Sequence, residues 1–176
     1  LHWINSETLS IFDISKIKKK IVITLHDMWF MNGSEHYLYN LPNQYFKGGK
    51  KIKLNKIDLT IWKLKKKILK NKKIHIVAPS TWIANLAKKS RIFEGFPVKV
   101  IPYAVDRKIF FKKKNKSLKV NNINISKEKN IIDILFVSAG GLFNYRKGFD
   151  ILDNSISEFD YKKRFRLIIV GSYKER

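Results

Sequence analysis

The chain has 176 residues, 44% of them hydrophobic and 13% aromatic. That suffices for a packed core and excludes a disordered polymer. The formal net charge of +23 is carried mostly by Lys, and it fits either an anionic partner or the Lys-, Asn- and Ile-rich usage of AT-rich coding. The absence of Cys excludes disulfides and thiolate metal sites, and no run approaches the ~20 apolar residues that cross a bilayer.

The first residues, Leu1-His2-Trp3-Ile4-Asn5, show neither an initiator Met nor a basic-then-apolar leader, so the chain is expected to be a piece of something longer. Ile21 to Leu25 is a β-branched apolar run that predicts a buried strand ending at His26-Asp27. From Met28 to Lys51 there is no period, and Asn32-Gly33, Pro42-Asn43 and Gly48-Gly49 punctuate a long loop. Ile57, Ile61, Leu64 and Ile68 recur at helical spacing and predict one apolar face, with Lys on the other. Ile74 to Ala78 predicts a second strand. Ser80 then caps a helix over Thr81 to Lys89. Val98 to Ile101 predicts a third strand, stopped by Pro102.

The polar stretch Arg107 to Asn130 predicts a linker or exposed excursion. A strand over Ile131 to Val137, a helix over roughly Phe149 to Phe159 and a strand over Leu167 to Gly171 follow. Alternating strands and helices predict an α/β chain with parallel sheets covered on both faces. The shift near Arg107 divides it in two, and strand–helix–strand alone makes the second part incomplete.

Open parallel sheets bind ligands at the carboxyl ends of their strands, where two polar clusters fall. His26-Asp27 follows the first strand. Gly140-Gly141 and Asn144-Tyr145-Arg146-Lys147-Gly148 follow the fourth. A guanidinium and an ammonium near a helix start suit a diphosphate, and Gly148 lets backbone approach closely. His26 is either a hydrogen-bonding residue or a catalytic one. His2, His26, His36 and His75 lack the i, i+4 spacing of a helical zinc site, and neither a nucleophile elbow nor a Walker loop is present.

The chain carries, in order, His2-Trp3-Ile4-Asn5, Thr24-Leu25-His26-Asp27-Met28-Trp29, Ala78-Pro79-Ser80-Thr81-Trp82, Val100-Ile101-Pro102-Tyr103-Ala104-Val105-Asp106, Arg146-Lys147-Gly148-Phe149-Asp150-Ile151-Leu152 and Ile169-Val170-Gly171. This series resembles family-4 glycosyltransferases, in particular bacterial enzymes of surface-polysaccharide synthesis. The resemblance implies a GT-B fold of two Rossmann-like domains, both truncated here. It assigns 1–103 to the later part of the acceptor-side domain, 104–130 to the connection and 131–176 to the first part of the nucleotide-sugar domain. It implies transfer of a sugar, with retention, from a nucleotide-sugar to a saccharide or lipid-linked acceptor.

Carried over residue by residue, Arg146 and Lys147 neutralise the departing diphosphate, His26 reaches the donor sugar, and Gly140 and Gly141 lie near the phosphates. Asp27 and Trp29 fall on the acceptor side. Neither a metal nor another cofactor is implied, because the nucleotide-sugar is a substrate. The expected location is cytoplasmic, with peripheral contact to an anionic membrane through the helix around Trp62 to Lys73 as a compatible partner.

Three family features are absent. No Gly-rich loop precedes Leu1, no Glu-x7-Glu element follows Gly171, and the loop after Trp29 has no Cys. The fragment by itself is therefore expected to be inactive. The competing class is a non-enzymatic basic module for nucleic acid, with Phe143, Tyr145 and Trp62 as stacking residues, or an inactive remnant. No recognised nucleic-acid module supports it.

Overall fold

The computed structural model describes residues 1–4, 8–112, 117–120, 123–126, 128, 130–139, 142, 144–158 and 164–171. It is a mixed α/β structure that divides into two compact units, Leu1–Asp106 and Arg107–Arg176.

Unit 1 is built on a three-stranded parallel sheet of β1 (Ile21–Thr24), β2 (Ile74–Ala78) and β3 (Val98–Val100), in that order. Ile21 faces Ile74 and Ile23 faces Ile76, so the branched side chains stack in register on one side. All four are buried, whereas Val22 is 49% exposed. The expectation of a sheet covered on both faces therefore fails within the described residues. The alternation of burial along β1 and β2 is that of a half-covered sheet. Backbone from the chain start extends the sheet past β1: the Leu1 amino group donates to the Val22 carbonyl, and the Thr24 N–H donates to the Leu1 carbonyl at 2.8 Å.

A short helix, α1 (Ile11–Lys16), precedes β1 and has no counterpart among the predicted elements. Its signal was a capping box: the Ser10 hydroxyl accepts from the Asp13 N–H while the Asp13 carboxylate accepts from the Ser10 N–H. At its other end, the Lys72 ammonium donates to the carbonyls of Ser15 and Ile17, supplying a cation where the helix dipole favours one.

α2 (Lys56–Lys70) forms where the apolar spacing predicted it, with its most buried line one residue along from the predicted stripe, of which Ile68 still packs against the core. Trp62, Lys65 and Leu69 point inward, while Ile57 is 67% exposed. The Ile stripe misleads because a bulkier surface was available one residue on, and Trp62 stacks on the buried Tyr45 with centroids 5.2 Å apart. Trp62 is thereby consumed by the core and offers neither a membrane contact nor a stacking platform. α3 (Thr81–Lys89) matches expectation, with the Ser80 hydroxyl accepting from the Ile83 N–H.

The long loop between β1 and α2 is part of the core. Met28, Phe30, Met31, Tyr45 and Phe46 are buried. Backbone bonds hold it on both sides: Met28 N–H to His36 carbonyl at 2.9 Å, and Arg91 N–H to Tyr45 carbonyl at 2.8 Å.

In unit 2 the stretch expected as a linker holds an antiparallel pair, β4 (Ser117–Val120) and β5 (Ile123–Ser126). A parallel pair follows, β6 (Ile131–Ser138) and β7 (Arg164–Gly171), with α4 (Phe149–Ser157) between them. Asp133 lies opposite Arg166 in register, and the guanidinium donates to that carboxylate at 2.6 Å and to the Ser126 carbonyl at 2.7 Å. One side chain thus fastens the antiparallel pair to the parallel one. Leu135 and Val137 are more than half exposed, so this sheet too is covered on one face among the described residues.

Gly33 sits tight against α2, where an added Cβ would lie 2.6 Å from the Asp58 carbonyl oxygen and 2.8 Å from its Cα. Both are backbone atoms that cannot step aside. Gly33→Ala is expected to lower stability by about 1–3 kcal/mol, read as a lower urea midpoint at unchanged slope.

Candidate functional site

β1 delivers its last residues to the carboxyl edge of the unit 1 sheet, and the chain turns there because Asp27 closes an Asx turn, its Oδ1 accepting from the Trp29 N–H at 2.8 Å. Its other oxygen accepts from His36 Nδ1 at 2.6 Å. Asp27 is 7% exposed, and both oxygens serve the loop. The His36 ring in turn stacks on Trp3, with centroids 4.9 Å apart and planes 14° from parallel.

His26 is exposed, and both of its ring nitrogens are engaged. Nε2 lies 2.9 Å from His2 Nδ1, and Nδ1 lies 2.5 Å from the Tyr103 hydroxyl. Tyr103 follows β3, so this row joins the two edges of the sheet above the strand ends. Burial, with Asp27 and Tyr37 nearby, pushes the Tyr103 phenol above its ordinary pKa. The hollow behind His26, walled by Trp3, Thr24 and Phe30, measures about 10 Å³. That is one water's space, so anything larger would meet the outer side of the row. An open hollow of about 250 Å³ lies at Tyr39, Leu41 and Gly49, apart from these side chains.

Beneath the loop lies Lys65, fully buried on α2. Its ammonium donates to the carbonyls of Trp29 at 2.7 Å, Gly33 at 2.5 Å and Asn32 at 3.3 Å. It also sits 3.4 Å from the centre of the Trp29 ring, a cation–π contact. Three acceptors match the three N–H bonds of an ammonium. Burial pushes the pKa down to about 7, against the opposing pull of Asp27 and Asp58. Trp29, expected on the acceptor side, therefore gives its carbonyl and its ring face to Lys65.

In unit 2 the Arg146–Lys147 pair lies in a single 3-10 turn, Tyr145–Lys147, between the carboxyl end of β6 and the start of α4. The Asn144 side chain caps the turn by accepting from the Arg146 N–H at 3.2 Å. Gly148 closes it at φ 70°, a left-handed conformation that glycine adopts at little cost. Its role in the structure is this turn, where the sequence suggested close approach to a ligand. Both basic residues are exposed, and no side chain caps the start of α4. Asp150 in its first turn is the one acidic neighbour there among the described residues. Gly140, Gly141 and Phe143 lie outside the described residues.

Of the predicted site residues, then, His26, Asp27 and Trp29 share one cluster in unit 1, and Arg146 and Lys147 share one turn in unit 2. His2, His36, Tyr103 and Lys65 join the first cluster. Sequence reasoning missed Lys65 because it is one of many Lys on α2. The described residues hold no group of His, Asp or Glu able to bind a metal ion, and no helix among them is long and apolar enough to cross a membrane. Comparison with family models, with curated proteins and with solved structures found no match for this chain.

The buried ammonium sets a pH signature. Between about pH 7 and the ordinary lysine value of 10.5, the unfolded chain holds a proton that folded Lys65 has lost. Stability therefore rises with pH across that window, by at most about 1.4 kcal/mol per pH unit. Tyr45, its phenol pushed up to about 12 by burial, works the other way above pH 10, because the unfolded chain then releases its proton first. Urea midpoints should climb from pH 7 to pH 9, and Lys65→Met should flatten the climb. Equal slopes in the two proteins would show that Lys65 does not titrate there.

Proposed function

We propose that this chain belongs to a sugar-nucleotide-dependent glycosyltransferase of the GT-B type, similar to family 4, with unit 1 on the acceptor side and unit 2 on the donor side. The observation that carries the reading is the exposed Arg146–Lys147 pair in a capped turn between the carboxyl end of a parallel strand and an uncapped helix start. Parallel β-α-β units hold phosphates at that point, where unpaired N–H groups and the helix dipole favour an anion.

The chemistry follows from charge. The bond between the anomeric carbon and the diphosphate oxygen breaks, and its electron pair leaves with the nucleoside diphosphate. The acceptor hydroxyl forms the new bond to carbon and passes its proton to the departing diphosphate. Negative charge grows on that leaving group, and a fixed guanidinium and ammonium stabilise it more in the transition state than in the ground state. His26, at the carboxyl end of β1, is the residue assigned to the donor sugar. The acceptor is a saccharide or a lipid-linked saccharide, and the reaction belongs to cell-surface polysaccharide synthesis on the cytoplasmic side.

The reading is tested by titrating the chain with UDP and GDP in a calorimeter. One of the two should bind, more weakly as salt rises, and Arg146→Ala/Lys147→Ala should weaken it at least about tenfold, because charge-assisted hydrogen bonds are lost. Equal affinity in the variant and the parent chain, or no binding of either nucleotide, would remove the basis of the proposal.

A further inference from the structure

The row His2–His26–Tyr103 raises a question of direction. A neutral imidazole has one donor and one acceptor nitrogen, and His26 has a partner on each. Two arrangements satisfy both contacts. In one, the Tyr103 hydroxyl donates to Nδ1 and Nε2–H donates to His2 Nδ1. In the other, Nδ1–H donates to the phenol oxygen and His2 Nδ1–H donates to Nε2. A phenol is the stronger donor of the two groups that meet at Nδ1, and an imidazole nitrogen is a better acceptor than a phenol oxygen. The first arrangement uses the stronger donor with the stronger acceptor.

The surroundings leave both partners of His26 in place. Burial, with Asp27 and Tyr37 nearby, disfavours a phenolate at Tyr103, so its O–H is retained in either arrangement. Asp27 is itself occupied by His36 and by the Trp29 N–H, so it does not compete for either nitrogen of His26. The Leu1 amino group, next to His2 in the chain, donates to the Val22 carbonyl. The Tyr103 and His26 rings lie within 9° of parallel, with centroids 5.5 Å apart.

We propose that Tyr103 is a positioning residue that holds His26 as its Nε2–H tautomer, making His26 a hydrogen-bond donor at the point where His2 now sits. His2 Nδ1 then stands in for an oxygen acceptor of the ligand. A hydroxyl oxygen of a sugar has the chemistry to replace it, and His2, at an exposed place in the chain, swings aside when that happens. The catalytic meaning of this tautomer rests on the role proposed above for His26, but the tautomer itself does not.

Long-range proton–nitrogen NMR of the nitrogen-labelled chain, with neutral imidazoles and no nucleotide present, reads the tautomer directly. His26 should show a protonated Nε2 and an acceptor Nδ1, with the Nδ1–H share about fivefold lower than in Tyr103→Phe, the bias that one ordinary hydrogen bond supplies over the intrinsic preference of imidazole. Tyr103→Phe should turn this into a mixture, with both nitrogens moving to intermediate shifts. His2→Ala should leave Nε2 protonated. A protonated Nδ1 in the parent chain, or an unchanged spectrum in Tyr103→Phe, overturns the proposal. So does loss of the tautomer in His2→Ala alone, which would make His2 the residue that sets it. Because no nucleotide is used, these outcomes are independent of whether UDP or GDP binds at Arg146 and Lys147.

Discussion

The organisation of unit 1 depends on one buried lysine side chain. Taking the Lys65 ammonium out of water costs several kcal/mol before any compensation. Compensation comes from the carbonyls of Trp29, Asn32 and Gly33 and the face of the Trp29 indole. Those carbonyls belong to an irregular loop that lacks strand or helix partners, although the Trp29 carbonyl also accepts from the Asn32 N–H at 3.3 Å. Each side therefore corrects the other's deficit. The loop that leaves β1 is held down on α2, and the residues it carries, Asp27 and His36, inherit a fixed place.

This fastening explains how an irregular loop of such length can line a core. Long loops are uncommon in compact domains unless something specific holds them. Here the loop buries Met28, Phe30 and Met31, and holds Tyr45 and Phe46 at the end of α3 through backbone bonds. Unit 2 uses a smaller version of the same device. Arg166 joins the Asp133 carboxylate to the Ser126 carbonyl, so one guanidinium ties a strand pair to its neighbour. In both units a cation closes what apolar packing leaves open, and in both the strand ends carry the polar chemistry.

The strands and α3 were legible because each is marked locally, by β-branched runs and by Ser80. The same holds for the placement of His26 and of Arg146–Lys147 after strands, which follows from the order of apolar runs. What was not legible depends on contacts distant in sequence. The buried face of α2 is chosen by Tyr45 stacking on Trp62, and an Ile stripe cannot reveal that. Tyr103 meets His26 across 77 positions of chain, so their hydrogen bond is a product of strand order. The β4–β5 pair escaped notice because a Lys- and Asn-rich stretch hides short alternation. Lys65 could have been suspected only from its spacing with Trp62 and Leu69, at i+3 and i+7 of one helix face.

The basic excess of the chain carries less information than its size suggests. An exposed ammonium among many interacts weakly with anything beyond about 8–10 Å in physiological salt. Counting such charges cannot separate a nucleic-acid surface from ordinary solvated Lys. What separates them is desolvation and geometry. Lys65, Lys72 and Arg166 donate to carbonyls and carboxylates within the fold. Arg146 and Lys147 differ in being exposed on a turn whose backbone is fixed by Asn144 and Gly148. A turn with a fixed backbone beside a helix start without a side-chain cap suits a compact anion better than an extended one. A fixed turn of this kind, rather than the total of +23, is the feature on which the proposed diphosphate site rests.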